Sequence, residues 1–430
     1  MGSSKRRAVI TGCGAVTSLG HSAQAFWDGM IAQRSGIGPI TGFDVSVLPT
    51  RIGGEVRDFE AKQYIDKKER KSLKVMSRSI QLAVAAAKLA LDDSGVDKDK
   101  LDKTRFGVEF GAGLIASELA ELGPAANVSS NCQPGTVDME KWGVQGLANM
   151  PPLWMLKYLP NMLACHVSIL HDAQGPNNSI TEGEVASLLA LGEAFRIMGR
   201  DLADFFLVGG ADSKLNPLSF VRHTLFTPLS RRNDAPAAAC RPFDRGRDGV
   251  VLGEGAGVIV LEDLEHARGR GATIYAEMVG FSSAFDAKGT GRGITRVIQG
   301  ALREAGITAD QVDHVNAHGL SSPRSDAIEA RGIQAAFGAY KVPVFAPKSY
   351  IGSLGAGSGI TEMIASLMGA QHGVVPGTLN YEEPDPECPV TVVSGGSRKI
   401  EREYFVKIGL TDMGQCAAVV LRNGKALANT

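Results

Sequence analysis

Short runs of β-branched and other apolar residues alternate along this chain with longer stretches whose apolar positions recur every three or four residues. Runs of the first kind, Arg7–Thr11, Phe205–Gly209, Gly257–Leu261 and Asp313–Asn316, predict strands. The second kind predicts helices over Ser77–Ser94, Glu184–Gly199, Gly293–Glu304 and Ile360–Gln371. In Glu184–Gly199 the positions Val185, Leu188, Leu189, Phe195 and Met198 fall at helical spacing just after Gly183, the pattern of a buried central helix. Alternation of this kind builds an α/β fold with parallel strands and crossover helices.

The chain also echoes itself. Each half has a polar elbow after a strand, then a helix, then a late glycine-rich strand-loop, Gly253–Gly257 in the first and Gly352–Gly357 in the second. The charged, glycine-containing segment Arg268–Gly271 divides an N-terminal half, 1–268, from a C-terminal half, 269–430. Between Leu122 and Pro152 the sequence is rich in Gly, Pro, Asn and Ser and has little periodicity, which predicts a surface excursion of the sort that lines a site or a partner interface.

Composition removes several classes of function. The 430 residues, 44% hydrophobic and 21% charged, suffice for large buried cores. Forty-five Lys+Arg against 46 Asp+Glu leave a net charge of -1, so no nucleic acid and no acidic membrane surface is expected as a partner. Six scattered cysteines without a CxxC pair fit a reduced, cytoplasmic chain with neither a disulfide framework nor a zinc site. Cys165 adjoins His166, but helix neighbours do not face one another, so no Cys-His dyad is expected there. The cluster Gly289-x-Gly291-x-Gly293 lacks a Walker lysine, and no cofactor is expected. No signal-type apolar stretch opens the chain and no long apolar run follows, so no membrane span is expected.

The candidate chemistry centres on Gly175-Pro-Asn-Asn-Ser-Ile-Thr-Glu-Gly-Glu184, which leads from a short extended segment into the apolar helix. A condensing enzyme presents a nucleophilic cysteine in this setting, and here the position holds Glu184. Four further segments make the likeness specific: Arg7–Gly20, Arg241–Gly257 with Arg-Pro-Phe-Asp-Arg at its start, Val315-Asn-Ala-His-Gly319, and Lys348-Ser349. In this order they resemble the β-ketoacyl-acyl-carrier-protein synthases of type II. The resemblance runs from near residue 5 to about 425 and is weakest over Leu122–Leu170 and at the C-terminal loop.

That resemblance implies a thiolase-like five-layered αβαβα fold built from two similar halves, in proteins that work as dimers. It also implies a cysteine that takes an acyl chain from a carrier-protein thioester, and two histidines that help decarboxylate the malonyl donor and stabilise its enolate. Carried over by position, the cysteine falls on Glu184, the first histidine on His318, the lysine on Lys348 and the second histidine on Ser353. The gating loop falls on Leu410–Gly414, with Asp412 at the gating phenylalanine and Gly414 beside it, the two residues expected to meet substrate.

A helix N-terminus can hold a carboxylate, but holding charge is not catalysis. Carboxylate attack on a thioester yields a mixed anhydride, more energetic than its precursor, and an anion at Glu184 repels a malonyl carboxylate. A bland role is for Glu184 to cap the helix and pair with His318 or Lys348. Three functions follow. The first is a catalytically degenerate partner of an active ketosynthase, similar to chain length factors, which shapes the acyl tunnel and helps dock acyl carrier protein. The second is altered chemistry, a malonyl decarboxylase or an acyltransferase using Glu184 and His318. The third is a homodimeric acyl-binding scaffold. The first accounts for the intact scaffold, the missing nucleophile, the missing histidine and the altered gate together.

Overall fold

The computed structural model describes residues 6–130, 133 and 135–427; Cys132 and the first residues, Met1 to Ser4, lie outside them. Among the described residues eleven strands form one large mixed sheet. In chain order they are β1 (Ala8–Val16), β2 (Phe106–Ala112), β3 (Asn177–Ile180), β4 (Phe205–Ser213), β5 (Glu254–Asp263), β6 (Ala276–Phe285), β7 (Val312–Asn316), β8 (Pro343–Phe345), β9 (Thr391–Val392), β10 (Tyr404–Leu410) and β11 (Gln415–Asn423).

The two halves have one topology. β1, β5, β4, β2 and β3 lie side by side in that order, with two antiparallel pairings followed by two parallel ones. β6, β11, β10, β7 and β8 repeat both the order and the senses, and β9 adds one parallel strand at the edge. The half-sheets meet at β1 and β6, where Ala8, Val9 and Ile10 face Met278, Glu277 and Ala276 across an antiparallel seam. Arg7 clamps that seam through two bonds to Glu277, at 2.5 and 2.7 Å.

Helices complete the layers. α1 (Arg78–Ser94) covers the outer face of the first half-sheet, against β1, β4 and β5. α3 (Arg292–Ala305) packs on β6, β10 and β11, with α4 (Pro323–Phe337) beside it. Between the half-sheets lie α2 (Ala186–Gly199) and α5 (Ser358–His372), each touching strands of both. The result is the thiolase-like five-layered arrangement, and its middle layer accounts for the near-complete burial of α5, whose residues from Ser358 to Ala370 are all buried. Each predicted strand and helix is present, with ends shifted by a few residues as caps and turns dictate.

The described residues of segment 122–152 lie at the surface and include short helical turns that their weak periodicity did not reveal. The segment holds the end of a helix, Leu119–Ser129, which carries Pro124 inside it, and then three short helical turns, Met139–Lys141, Trp142–Gly146 and Leu147–Asn149. Turns this short show no sustained periodicity. Their position is superficial, and Leu114, Val137, Met139, Val144 and Leu147 are all more than half exposed. No described helix is long and apolar enough to cross a membrane.

Close approach of α2 to the sheet depends on glycine. A Cβ on Gly111 of β2 would lie 2.3 Å from the backbone nitrogen of Ser187, and one on Gly210 of β4 would lie 2.5 Å from the Ala356 carbonyl oxygen. Both obstacles are main chain and cannot rotate away. Gly111→Ala is therefore expected to destabilise the protein by about 2 kcal/mol through overpacking, measured as a lower denaturant midpoint with an unchanged slope.

Candidate functional site

The elbow after β3 sets the candidate site. Gly183 adopts φ +55, a left-handed conformation that suits glycine, and a tight 3₁₀ turn, Gly183–Val185, leads into α2. Glu184 thus lies inside that turn, whose N-cap is Glu182. It is half-buried. Among the described residues it forms no ion pair with His318 or Lys348, which corrects the expectation of a satisfied ionic cluster around it; both of those residues are engaged elsewhere.

Burial is the main influence on the Glu184 carboxyl and pushes its pKa up, opposed by its own backbone amide and by the positive charges of Lys214 and Lys348; Asp412 adds to the rise. The carboxyl is thereby biased toward its neutral form, which is neither a nucleophile nor a strong counter-ion. Lys214, at the end of β4, went unnoticed in the sequence. It is held 2.7 Å from the buried Asp212, whose other contact is the Ala356 amide at 3.3 Å. Its signal was a cation just after an otherwise apolar strand, Phe205–Ala211.

His318 and Lys348 do meet. His318 follows β7 and is buried, with its backbone amide bonded to Glu329 Oε1 at 2.6 Å and the next amide, of Gly319, bonded to Oε2 at 2.8 Å. Lys348 Nζ donates to the His318 carbonyl at 2.8 Å and stands 3.1 Å from His318 Nδ1. Burial, then Lys348 and Lys407, drive the imidazole pKa well below the usual histidine range. The carboxylate that pairs with Lys348 is Glu362, at 2.6 Å, in α5. Glu362 was also missed, because nothing in a 3.6-residue repeat distinguishes a buried acid from a surface one.

Ser353 is buried and is held by main-chain bonds to the strand-like segment before β5: its amide donates to Val251 O and its carbonyl accepts from Gly253 N, both at 2.8 Å. The backbone of this position is thus fixed, and the side chain it presents is a hydroxyl. Asp412 is exposed and accepts a 3.0 Å hydrogen bond from Ser325 Oγ in the first turn of α4. Gly414, at φ +103, could not carry a side chain, since a Cβ would lie 2.5 Å from Asp286 O. Asp412 and Gly414 line a cavity of about 310 Å³ together with Phe226, Ser322 and Ser325.

None of the four buried cysteines among the described residues is set up as a nucleophile. Cys13, Cys240, Cys388 and Cys416 are buried, and burial raises the thiol pKa of each. Cys165 is partly exposed while His166 beside it is buried, so the two diverge from the helix as expected. The glycine cluster at 289–293 has its own ligand: Asp286 accepts from the Thr290 and Gly293 amides at 3.1 and 3.2 Å, so those donors are already used.

Against this geometry, two family models match the chain: the β-ketoacyl synthase N-terminal domain over residues 5–267 and the C-terminal domain over 275–382. The chain belongs to the β-ketoacyl synthase family. It is 39% identical to 3-oxoacyl-[acyl-carrier-protein] synthase 2 of Synechocystis sp. over 404 residues, which are 92% of this chain and 93% of the relative. Two solved structures resemble it throughout. One is a type II polyketide synthase acyl-carrier protein in complex with its ketosynthase bound to the hexaketide, at TM-score 0.85, 27% identity, and 98% and 100% coverage of the two chains. The other is the ishigamide ketosynthase/chain length factor, at TM-score 0.86, 28% identity, and 98% and 100% coverage.

Two outcomes follow from the site. The folded protein raises the Glu184 pKa, so stability attached to this group is fully present below the ordinary carboxylate range and falls as pH rises toward the folded value. Glu184→Gln should therefore melt higher than the parent protein at neutral pH, with the difference vanishing under acid conditions. Thermal scans at several pH values would show it, and a lower melting temperature at neutral pH would mean that Glu184 has a counter-ion after all. Separately, Ser325→Ala should speed amide hydrogen exchange over residues 411–414 while leaving the Lys348 region unchanged, because it removes the bond that holds Asp412.

Proposed function

We propose that this chain is a catalytically degenerate β-ketoacyl synthase homologue of fatty-acid or polyketide biosynthesis that works as the chain-length-factor-like partner of an active ketosynthase. The observation that carries this reading is the pair of replacements at the positions of nucleophile and second imidazole. Glu184 offers a half-buried carboxyl biased toward neutrality, and Ser353 offers a hydroxyl on a fixed backbone. Claisen condensation needs a thiolate to carry the acyl group and two donors to stabilise the enolate of the malonyl unit. The remaining imidazole, His318, supplies one.

Several features support a retained scaffold with a changed task. The five-layered architecture is complete, the Lys348–His318 contact is intact, and Glu184 and Lys214 put polar groups beside the turn where an acyl-enzyme would form. The likeness to a ketosynthase/chain length factor structure supports the pairing, and the likeness to a carrier-protein complex supports acyl carrier protein as the common partner. Under this reading the heterodimer supplies sulfur and histidines from one subunit and part of the tunnel wall from the other.

The decisive experiment is co-expression with a type II ketosynthase that carries cysteine and two histidines, followed by co-purification and an elongation assay with acyl and malonyl carrier proteins. A stable heterodimer is expected, elongating only when both chains are present and tolerating Glu184→Ala. Formation of an acyl adduct on this chain alone, followed by elongation with the malonyl donor, would overturn the proposal.

A further inference from the structure

Lys407 is the buried group that the candidate site leaves without a task. It stands in the middle of β10 among Phe405, Val406 and Ile408 and has no exposed surface. An ammonium in such a place must have all of its donors taken up. Three acceptors do this: Glu362 Oε2 at 2.5 Å, Asn316 Oδ1 at 3.0 Å and the Ala317 carbonyl at 3.0 Å. Glu362 is shared, because its other oxygen, Oε1, lies 2.6 Å from Lys348 Nζ.

The direction of each bond follows from what each group can do. An ammonium only donates, so His318 Nδ1, 3.1 Å from Lys348 Nζ, has to accept, and the single proton of the neutral ring resides on Nε2. Lys407 likewise fixes the Asn316 amide with its oxygen inward, which turns Nδ2 toward Ser366 Oγ at 2.8 Å and the Glu362 carbonyl at 2.7 Å. Ser366 then donates to His314 Nε2 at 3.0 Å, and His314 Nδ1 donates to Asp313 at 3.1 Å. Asp313 is anchored by Arg398 at 2.9 Å, near the surface.

We infer that Lys407 is a positioning residue for His318: by holding Glu362 from the far side it fixes Lys348 against Nδ1 and so keeps the imidazole neutral with its proton on Nε2. With one ammonium gone, one oxygen of Glu362 would lose its partner and the carboxylate could swing, releasing Lys348 from the ring. The groups acting on His318 are few. Lys348 and Lys407 oppose an imidazolium, Glu362 compensates the two lysines, and Glu329 is spent on the His318 and Gly319 amides. A neutral ring with a donor at Nε2 suits an uncharged carbonyl oxygen, the group a thioester presents, better than a carboxylate. This inference stands whether or not the chain carries out condensation.

The test is ¹⁵N NMR of histidine-labelled protein, with His318 assigned by its absence in His318→Asn. In the parent protein His318 should keep a protonated Nε2 and an unprotonated Nδ1 from about pH 5 to about pH 8, the interval in which an ordinary histidine changes charge. In Lys407→Met the ring should begin to titrate within that interval. Lys407→Gln, an uncharged and shorter donor that protects the fold but holds Glu362 less firmly and no longer opposes an imidazolium, should move the midpoint in the same direction by a smaller amount. A His318 that titrates normally in the parent protein would overturn the inference, as would ring signals unchanged in either folded variant, since a lysine that only fills space would leave the tautomer alone.

Discussion

Glu362 is a single carboxylate set between two ammonium groups in the middle of the molecule, and much of the C-terminal half is arranged to keep it there. Its partners come from separate pieces of chain: Lys348 from the turn after β8, and Lys407 from β10. Removing one member of a buried ion pair leaves an uncompensated charge and typically costs about 3–5 kcal/mol. Such a cluster adds little net stability over an apolar core, but each of its charges needs its partner in place. The cluster thereby ties α5, β10 and the Lys348 turn together through charge, Lys407 by a hydrogen bond and Lys348 by an ion pair.

The elbow at Glu184 shows the opposite use of a carboxyl group. No cation touches it directly, the nearby Lys214 is committed to Asp212, and Asp412 disfavours a further negative charge. Two acids in one core are thus treated differently by their surroundings: one is pinned between cations, and the other is driven toward its uncharged form. Under the proposed reading, the elbow backbone is kept while the electrostatics at Glu184 differ from those a thiolate would need. At Ser353 main-chain bonds likewise fix the position, and the side chain there is a hydroxyl.

Much of the fold could be read from the residues in order. Periodicity placed α2 and α5 because their apolar positions dominate, and Phe205–Gly209 and Gly257–Leu261 were legible as strands because they are short, mostly apolar runs, whereas Asp313–Asn316 has one apolar residue in four. The site was legible only as positions. Glu184, His318, Lys348 and Ser353 could be located from the segments around them, but their contacts could not, since those depend on side chains brought in from far along the chain. Glu362 lies 14 residues beyond Lys348 and pairs with it across a turn. Lys407 had a visible signal, a lysine inside Tyr-Phe-Val-Lys-Ile-Gly-Leu, which a strand buried on both faces does not accept without a partner. The helical turns of 122–152 were hidden by their shortness and by proline.

The outward face of those turns has a practical consequence for the substance itself. Met139, Val144 and Leu147, one from each turn, face water. Apolar groups gathered on a surface lower the concentration at which molecules begin to adhere to each other. Any residue here that a partner does not cover therefore adds to the tendency of the protein to self-associate at high concentration.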